Sequence, residues 1–382
     1  MKEISLIGST GSIGRQVLSV VRRYPEKFKI VALVAGGNEK VFLEQVKEFR
    51  PRYCALVDRV KASQIRSEIP AGVDFACGEE GALGAVSLGD TAFIAATGFS
   101  GLAYTLRAIK EKKAIALANK ETLVCGGELV MPAIEKSGLD LMPVDSEHSA
   151  IWQALGFDRR ASFRKLILTA SGGPFYSYTK EQLFSVKPQD ALKHPTWQMG
   201  AKITVDSATL LNKGFEVIEA RWLYDAPYEK IQTVVQPESI IHSMVEFADG
   251  AILAQMSYPT MELPIQLSLT YPERFSANVR PMDFAALGQL RFLPLERKRF
   301  PCYDLALAAG ERGDNYPCAL NAAGEVAVKA FLEGRIAFPS IVETIEDALS
   351  HIEGRAVSSY EELRQTDLLA RNLARKFIEK RN

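Results

Sequence analysis

Ile4-Ser5-Leu6-Ile7-Gly8-Ser9-Thr10-Gly11-Ser12-Ile13-Gly14 is the stretch whose reading decides the fold of this chain. An apolar run ends at a glycine, and Val17, Leu18, Val20 and Val21 follow at helical spacing. Strand, small-residue turn and helix, in that order, open a βαβ unit. The glycines are spaced G-x-x-G-x-x-G rather than the usual G-x-G-x-x-G, but the physics is the same. Small residues let the backbone approach a pyrophosphate, and the helix N-terminus offers N–H groups and the positive end of its dipole. Working outward, residues 29–35 read as a second strand, one crossover helix away. The apolar runs 53–57, 91–95 and 114–118 alternate with amphipathic segments, which predicts an α/β fold with a doubly wound parallel sheet. The second strand runs into Gly36-Gly37-Asn38. A chain that binds NAD usually carries an acid there for the ribose 2′-OH, so its absence favours NADP.

The 382 residues are 47% hydrophobic and 24% charged, an ordinary globular composition with material for two or three domains. Forty-six basic residues balance forty-six acidic ones, which leaves no electrostatic footprint for nucleic acid. Cys54, Cys77, Cys125, Cys302 and Cys318 are odd in number, scattered and without CxxC spacing, which fits neither a disulfide framework nor a zinc site. A strand directly after Met1 leaves no room for a signal or transit peptide, and no apolar run reaches the ~20 residues of a membrane span. A cytoplasmic protein with neither a nucleic-acid nor a membrane partner is expected.

Two acids one residue apart, Asp145 and Glu147 in Pro143-Val144-Asp145-Ser146-Glu147-His148, follow a further apolar run. On an extended backbone they point to one side and raise each other's pKa unless a cation sits between them. Mg²⁺ or Mn²⁺ would be such a cation; a polar turn capped by Asp145 or Ser146 is the alternative. Asn119-Lys120-Glu121 stands at the carboxyl end of a strand, where open α/β sheets bind ligands. Leu166–Ala170 reads as a strand running into Ser171-Gly172-Gly173-Pro174, a turn suited to an anion. The segment His194-Pro195-Thr196-Trp197-Gln198-Met199-Gly200 does not read as regular structure, and its Trp either packs on the core or closes over a ligand.

From Asp206 the spacing of Leu210, Leu211, Phe215 and Ile218 predicts a helix starting at a cap-like Asp206, with Asn212, Lys213, Glu216 and Glu219 on one face. Gly214 inside that helix costs about 1 kcal/mol relative to Ala, which points to a close approach by some other group. Runs at 242–247 and 251–256 around Asp249-Gly250 predict a hairpin whose apolar face would pair two subunits. From about Pro301 the chain reads as helical.

Taken together, Gly8–Gly14, Ala118-Asn119-Lys120-Glu121, Pro143–His148, Ser171–Pro174, the His-Pro-x-Trp-x-Met-Gly of 194–200, and Asp206-Ser207-Ala208-Thr209 with Asn212-Lys213-Gly214-x-Glu216 resemble the 1-deoxy-D-xylulose 5-phosphate reductoisomerase family. The likeness runs from residue 1 to the C-terminal helices. It implies an oxidoreductase of the non-mevalonate isoprenoid pathway, a homodimer that requires NADPH and Mg²⁺ or Mn²⁺. Such an enzyme rearranges and reduces 1-deoxy-D-xylulose 5-phosphate to 2-C-methyl-D-erythritol 4-phosphate.

By this resemblance Asp145, Glu147 and Glu216 are metal ligands, and Lys120 acts with them in catalysis. Ser146, Glu147, Ser171, Ser207, Asn212, Lys213 and Glu216 are substrate contacts. His194, Trp197 and Met199 belong to a lid over the substrate. Thr10, Gly11, Ser12, Ile13, Gly36, Gly37, Asn38, Asn119, Glu121 and Gly200 contact the cofactor. One departure stands out: many relatives have Lys or Arg where this chain has Gly37, so NADPH preference would rest on Asn38, Ser12 or Lys40.

The domains expected are an N-terminal Rossmann-like NADPH-binding domain (1–144), a central α+β catalytic and dimerisation domain (145–265) with the lid near 187–200, a linker (266–300) and a C-terminal α-helical domain (301–382). The rival reading is a metal-assisted NADP-dependent dehydrogenase that acts on a phosphorylated sugar without rearranging its skeleton.

Overall fold

The computed structural model describes residues 1–197 and 199–381. Gln198, within the expected lid, and Asn382 lie outside the described residues. The chain divides into two compact units. The first comprises Met1–Thr122, Val130–Asp145 and Met261–Val279, and the second comprises Leu123–Leu129, Ser146–Thr260 and the chain from Arg280 onward.

In chain order the elements reaching the boundary at Asp145 are β1 (Lys2–Ile7), α1 (Ser12–Arg23), β2 (Phe28–Ala35), α2 (Glu39–Phe49), β3 (Tyr53–Leu56), α3 (Arg59–Ile65), β4 (Asp74–Cys77), α4 (Gly78–Gly84), β5 (Thr91–Ile94), α5 (Ser100–Lys110), β6 (Ala114–Leu117), α6 (Glu121–Ser137, interrupted at Gly126) and β7 (Leu141–Pro143). After it come α7 (Ser146–Ala154), β8 (Lys165–Ala170), α8 (Lys180–Phe184), α9 (Pro188–Ala191), α10 (Ala201–Thr209), α11 (Leu211–Leu223), β9 (Ile231–Val235), β10 (Ile241–Glu246), β11 (Ile252–Met256), α12 (Glu262–Thr270), α13 (Phe284–Leu287), β12 (Leu293–Pro294), α14 (Pro301–Arg312), α15 (Tyr316–Leu332), α16 (Ser340–Ser350) and α17 (Tyr360–Arg381).

The first unit holds a seven-stranded parallel sheet in the order β4-β3-β2-β1-β5-β6-β7. Its strands are continuous apolar runs because helices cover both faces: Leu6, Val31, Leu33, Phe93 and Ile115 are fully buried. Strand order reverses at β1, which pairs with β2 on one side and β5 on the other, and such a reversal opens a ligand crevice at the carboxyl ends. Helix α12 belongs to this unit and packs on α1, where Arg23 pairs with Glu262 and Lys2 Nζ donates to the Leu269 carbonyl at 2.6 Å. The segment 266–300, expected as a linker, thus includes half of α12.

The second unit is built on a mixed sheet, β11-β10-β8-β9-β12, in which only β8 and β9 run parallel. The hairpin at Asp249-Gly250 forms as its sequence predicts, with Gly250 at φ +88° and the Ala251 amide donating to the Asp249 carboxylate at 2.9 Å. β11 is one of the two edge strands, and Ile252 and Leu253 on it are each 52% exposed. Beside the sheet, α14 to α17 pack around α15. Its Ala319, Ala322, Ala323 and Ala327 leave no exposed surface, since small side chains let neighbouring helices approach closely.

Two local readings change. The helix expected from Asp206 is two helices, broken where Leu210 adopts φ +58°, a conformation rare for a branched side chain. Asp206 itself lies inside α10 rather than capping it. The close approach that Gly214 serves is made by α14, not by a ligand: a Cβ on Gly214 would lie 2.3 Å from the Ala306 Cβ. Among the described residues, no helix is long and apolar enough to cross a membrane.

Candidate active site

In the first unit the glycine loop forms at the carboxyl end of β1. Gly8 takes φ +91°, and a Cβ there would stand 2.3 Å from the Ala95 carbonyl oxygen. A Cβ on Gly14 would stand 2.3 Å from the Gly8 carbonyl oxygen. The loop is therefore closed tightly enough that only glycine fits at either place. Ser9 is anchored by its amide to the Val34 carbonyl at 2.9 Å, and its own carbonyl accepts from Gln45 at 3.0 Å. Helix α1 begins at Gly11 with no side chain capping its first N–H groups, which leaves those donors for an anion. Thr10, Gly11, Ser12 and Ile13 are thus gathered at one helix start.

Gly36 and Gly37 end β2, and Asn38 caps α2 through its side-chain oxygen, which accepts from the Val41 amide at 3.4 Å. Asn119 sits at the end of β6 and is fully engaged. Its amide nitrogen donates to the Gly98 carbonyl at 3.1 Å and to Glu121 at 2.8 Å, while its oxygen accepts from Thr122. Beside it, Lys120 Nζ lies 2.7 Å from Asp145 Oδ2, with both side chains mostly buried.

Asp145 is the last residue of the first unit and is bonded to Ser146, the first of this part of the second. Covalent reach alone keeps its Cα within about 7 Å of the Glu147 Cα. Glu147 does not continue an extended strand, as the sequence suggests, but lies in the first turn of α7. There Ser146 Oγ donates to Glu147 Oε2 at 2.5 Å.

Across from α7, Lys213 and Glu216 of α11 are buried rather than solvated. Lys213 Nζ lies 2.7 Å from Glu147 Oε1 and also contacts Glu216 Oε2, so one ammonium is bracketed by two carboxylates. Burial alone would depress its pKa, but the charges of Glu147 and Glu216 more than offset that and hold it above the ordinary lysine value. Asn212 donates to the other Glu216 oxygen at 2.5 Å. Carboxylate oxygens of Glu147 and Glu216 fall within 4.8 Å of each other, a spacing that one cation can bridge.

Sequence reasoning did not assign a role to His148, which locks this arrangement. Its Nε2 faces the Glu216 carbonyl at 2.9 Å, its Nδ1 faces Glu219 at 3.2 Å, and Tyr224 donates to its backbone oxygen at 2.5 Å. The imidazole and Glu219 are buried, so α7 and α11 are tied together directly behind the two acids. The signal was present, since His148 adjoins Glu147 and Glu219 shares a helical face with Glu216.

A second cluster surrounds the turn after β8. Gly172 and Gly173 both take positive φ, and a Cβ on Gly173 would meet the Ser207 carbonyl at 2.8 Å, so the turn lies against α10 beside Ser207. Ser171 Oγ accepts from the Gly173 amide at 3.1 Å and lies 3.0 Å from His194 Nε2. His194 Nδ1 accepts from the amides of Thr196 and Trp197, at 3.3 and 3.0 Å. Burial pushes the imidazole pKa down to about 4, so at neutral pH its proton resides on Nε2 and is donated to Ser171. Ser171 then keeps its own hydroxyl proton for an acceptor.

Two further contacts, not foreseen from sequence, hold the 194–197 segment: Thr196 Oγ1 to Ser239 Oγ at 3.0 Å, and the Trp197 ring against His242 at 5.8 Å between centroids. Met199 is half-buried and Gly200 starts α10.

Within the second unit, the acidic oxygens of Glu147 and Glu216 suit a hard cation, and the hydroxyl and ammonium donors around them suit an anion. Within the first unit, the glycine loop suits a dinucleotide.

Comparison with known proteins gives one answer along the whole chain. Residues 4–127 match the family model for 1-deoxy-D-xylulose 5-phosphate reductoisomerase, and residues 141–224 and 256–373 match models for C-terminal domains of the same enzyme. A 1-deoxy-D-xylulose 5-phosphate reductoisomerase from Geobacillus sp. (strain WCH70) is 47% identical over 381 residues, covering 99% of this chain and 100% of that protein. The solved reductoisomerase from Zymomonas mobilis, in complex with NADPH, is 37% identical and superposes with a TM-score of 0.92 over 99% of both chains. A DOX-P reductoisomerase solved with NADPH, fosmidomycin and magnesium is 35% identical, with a TM-score of 0.94 over 99% of this chain and 98% of that one.

Proposed function

The chain belongs to the 1-deoxy-D-xylulose 5-phosphate reductoisomerase family, and from that premise we infer that it converts 1-deoxy-D-xylulose 5-phosphate to 2-C-methyl-D-erythritol 4-phosphate with NADPH and a divalent metal. The observation that carries this reading is the buried Lys213 ammonium held between Glu147 and Glu216: the same oxygens that compensate one cation are the hard donors Mg²⁺ or Mn²⁺ prefers. We assign Asp145, Glu147 and Glu216 to the metal. The glycine loop fits the dinucleotide, because Gly8 and Gly14 leave the cradle that any Cβ would fill.

When bound, the metal supplies Lewis acidity toward adjacent substrate oxygens and NADPH supplies the reducing equivalent. The protein's own residues do the positioning. Lys213, Asn212, Ser207 and Ser171 offer donors to the substrate's phosphate and neighbouring oxygens, with Ser146 beside Glu147. Lys120, close to Asp145, reaches a substrate hydroxyl and helps move its proton. His194, Trp197 and Met199, on the segment anchored through Ser171, Ser239 and His242, exclude water from reactive species. The exposed Ile252 and Leu253 on the β11 edge support a homodimer, and five unpaired thiols support a cytoplasmic setting. In this reading residues 1–144 bind NADPH, 145–265 carry the chemistry and the dimer contact, and 301–382 form the helical end domain.

The test is NADPH oxidation with ¹³C-labelled 1-deoxy-D-xylulose 5-phosphate, with Mg²⁺ or Mn²⁺ and with EDTA. Metal-dependent formation of a branched product is expected. An unbranched polyol would replace the reading with that of a metal-assisted dehydrogenase, and no oxidation would overturn both.

A further inference from the structure

We propose that Lys61 reads the 2′-phosphate of NADPH in this chain, taking the place of a side chain at position 37; the proposal rests on the NADPH-binding reading above. In a doubly wound sheet the residues just past the second strand meet the adenosine ribose. Here they are Gly36-Gly37-Asn38, with neither an acid for a 2′-hydroxyl nor a cation for a 2′-phosphate. Asn38 is occupied as the cap of α2.

The cation arrives from the next strand–helix junction. Lys61, in the first turn of α3, lays its chain beside Gly37. Its Cδ is 3.9 Å from where a Gly37 Cβ would stand, and its Nζ donates to the Gly37 carbonyl at 2.6 Å. The side chain is still 43% exposed, so the ammonium has an open side.

The root of Lys61 is fixed to the same place. The Val57 and Asp58 amides donate to the Ala35 and Gly36 carbonyls at 3.0 and 2.9 Å. The Asp58 carboxylate in turn accepts from the Val60 and Lys61 amides, both at 3.0 Å. Glu39, 3.3 Å from Nζ, is the partner Lys61 holds in the meantime. A phosphate dianion competes for that ammonium and a ribose hydroxyl does not, which makes the contact selective for NADPH. Sequence distance hid it: the lysine belongs to a different βα junction from the glycines it serves.

The test titrates the intact protein with NADPH and, separately, NADH, without metal or substrate, reading binding by calorimetry. Lys61→Ala and Lys61→Gln are each expected to raise the NADPH Kd about tenfold while leaving the NADH Kd within about twofold. Adding Gly37→Lys to Lys61→Ala is expected to restore the preference, since the nearest atoms to that Cβ position, Cβ and Oδ2 of Asp58, lie 3.6 Å away and leave room for the side chain. Equal changes for both dinucleotides, no change, or full NADPH preference in Lys61→Gln would each overturn the assignment. A wild-type protein that binds neither dinucleotide would instead overturn the NADPH reading from which it starts.

Discussion

Lys213→Met removes the ammonium between Glu147 and Glu216 while keeping the length of the side chain. Glu216 is buried and Glu147 is 17% exposed, so the two carboxylates lose their common counter-ion where little water can replace it. Removing one partner of a buried ion pair costs about 3–5 kcal/mol, and the partial exposure of Glu147 argues for the lower end. A loss of about 3 kcal/mol in a unit of roughly two hundred residues lowers Tm by about 6–12 °C. Thermal melts in EDTA would read it. Mg²⁺ at 100 times its Kd stabilises a folded protein by about 2.7 kcal/mol. In the variant no ammonium competes for the oxygens, so the rise in Tm on adding Mg²⁺ should exceed that of the wild type. A drop below about 2 °C in EDTA would show that Lys213 does not compensate these acids. An equal or smaller Mg²⁺ shift in the variant would refute Glu147 and Glu216 as metal donors.

Gly8→Ala should weaken NADPH binding more than tenfold by titration, since its Cβ would collide with the Ala95 carbonyl at a φ that alanine avoids. Asp145→Asn should abolish metal-dependent turnover while leaving the NADPH Kd unchanged, and surviving catalysis would remove Asp145 from the metal set. For His194 the folded pKa of about 4 lies below the ordinary 6.5. Docking of residues 194–197 is therefore fully stable above about pH 6.5 and is lost as pH falls through 4. Hydrogen exchange at the Thr196 and Trp197 amides, both of which donate to His194 Nδ1, should accelerate over that range and be insensitive to pH in this respect in His194→Asn. Gly214→Ala should cost about 1–3 kcal/mol by overpacking against Ala306, and Ala306→Gly in the same chain should recover part of it in denaturant melts.

The parallel half of the fold is legible because strands buried on both faces must be apolar throughout, as residues 29–35 and 91–95 are. β4 escapes notice for the converse reason: Asp74-Phe75-Ala76-Cys77 is short, partly exposed and has neither a long apolar run nor alternation. The break at Leu210 leaves no trace in sequence either. Helical spacing continues across it, and leucine gives no warning of a left-handed turn that tertiary packing imposes.

The site was harder to read than the fold because helical spacing identifies neighbours without saying what they face. From helical spacing alone Lys213 and Glu216 read more readily as a solvated pair than as a buried one; only the packing of α7 against α11 through His148 and Glu219 decides it. Burial also changes what the lysines mean. Lys120 sits on Asp145 and Lys213 on Glu147 and Glu216, so the oxygens proposed above for the metal are already held by ammonium groups. If the proposed metal set is right, metal affinity is set partly by how readily those ammoniums let go, and a lysine released from its carboxylate becomes a donor for an anionic substrate. On this account substrate and metal favour each other's binding, because each takes up the partner that the other sets free. Coupling of that kind is reciprocal: a phosphorylated substrate analogue should tighten Mg²⁺ binding by the same factor that Mg²⁺ tightens the analogue's, and the coupling should shrink in Lys213→Met.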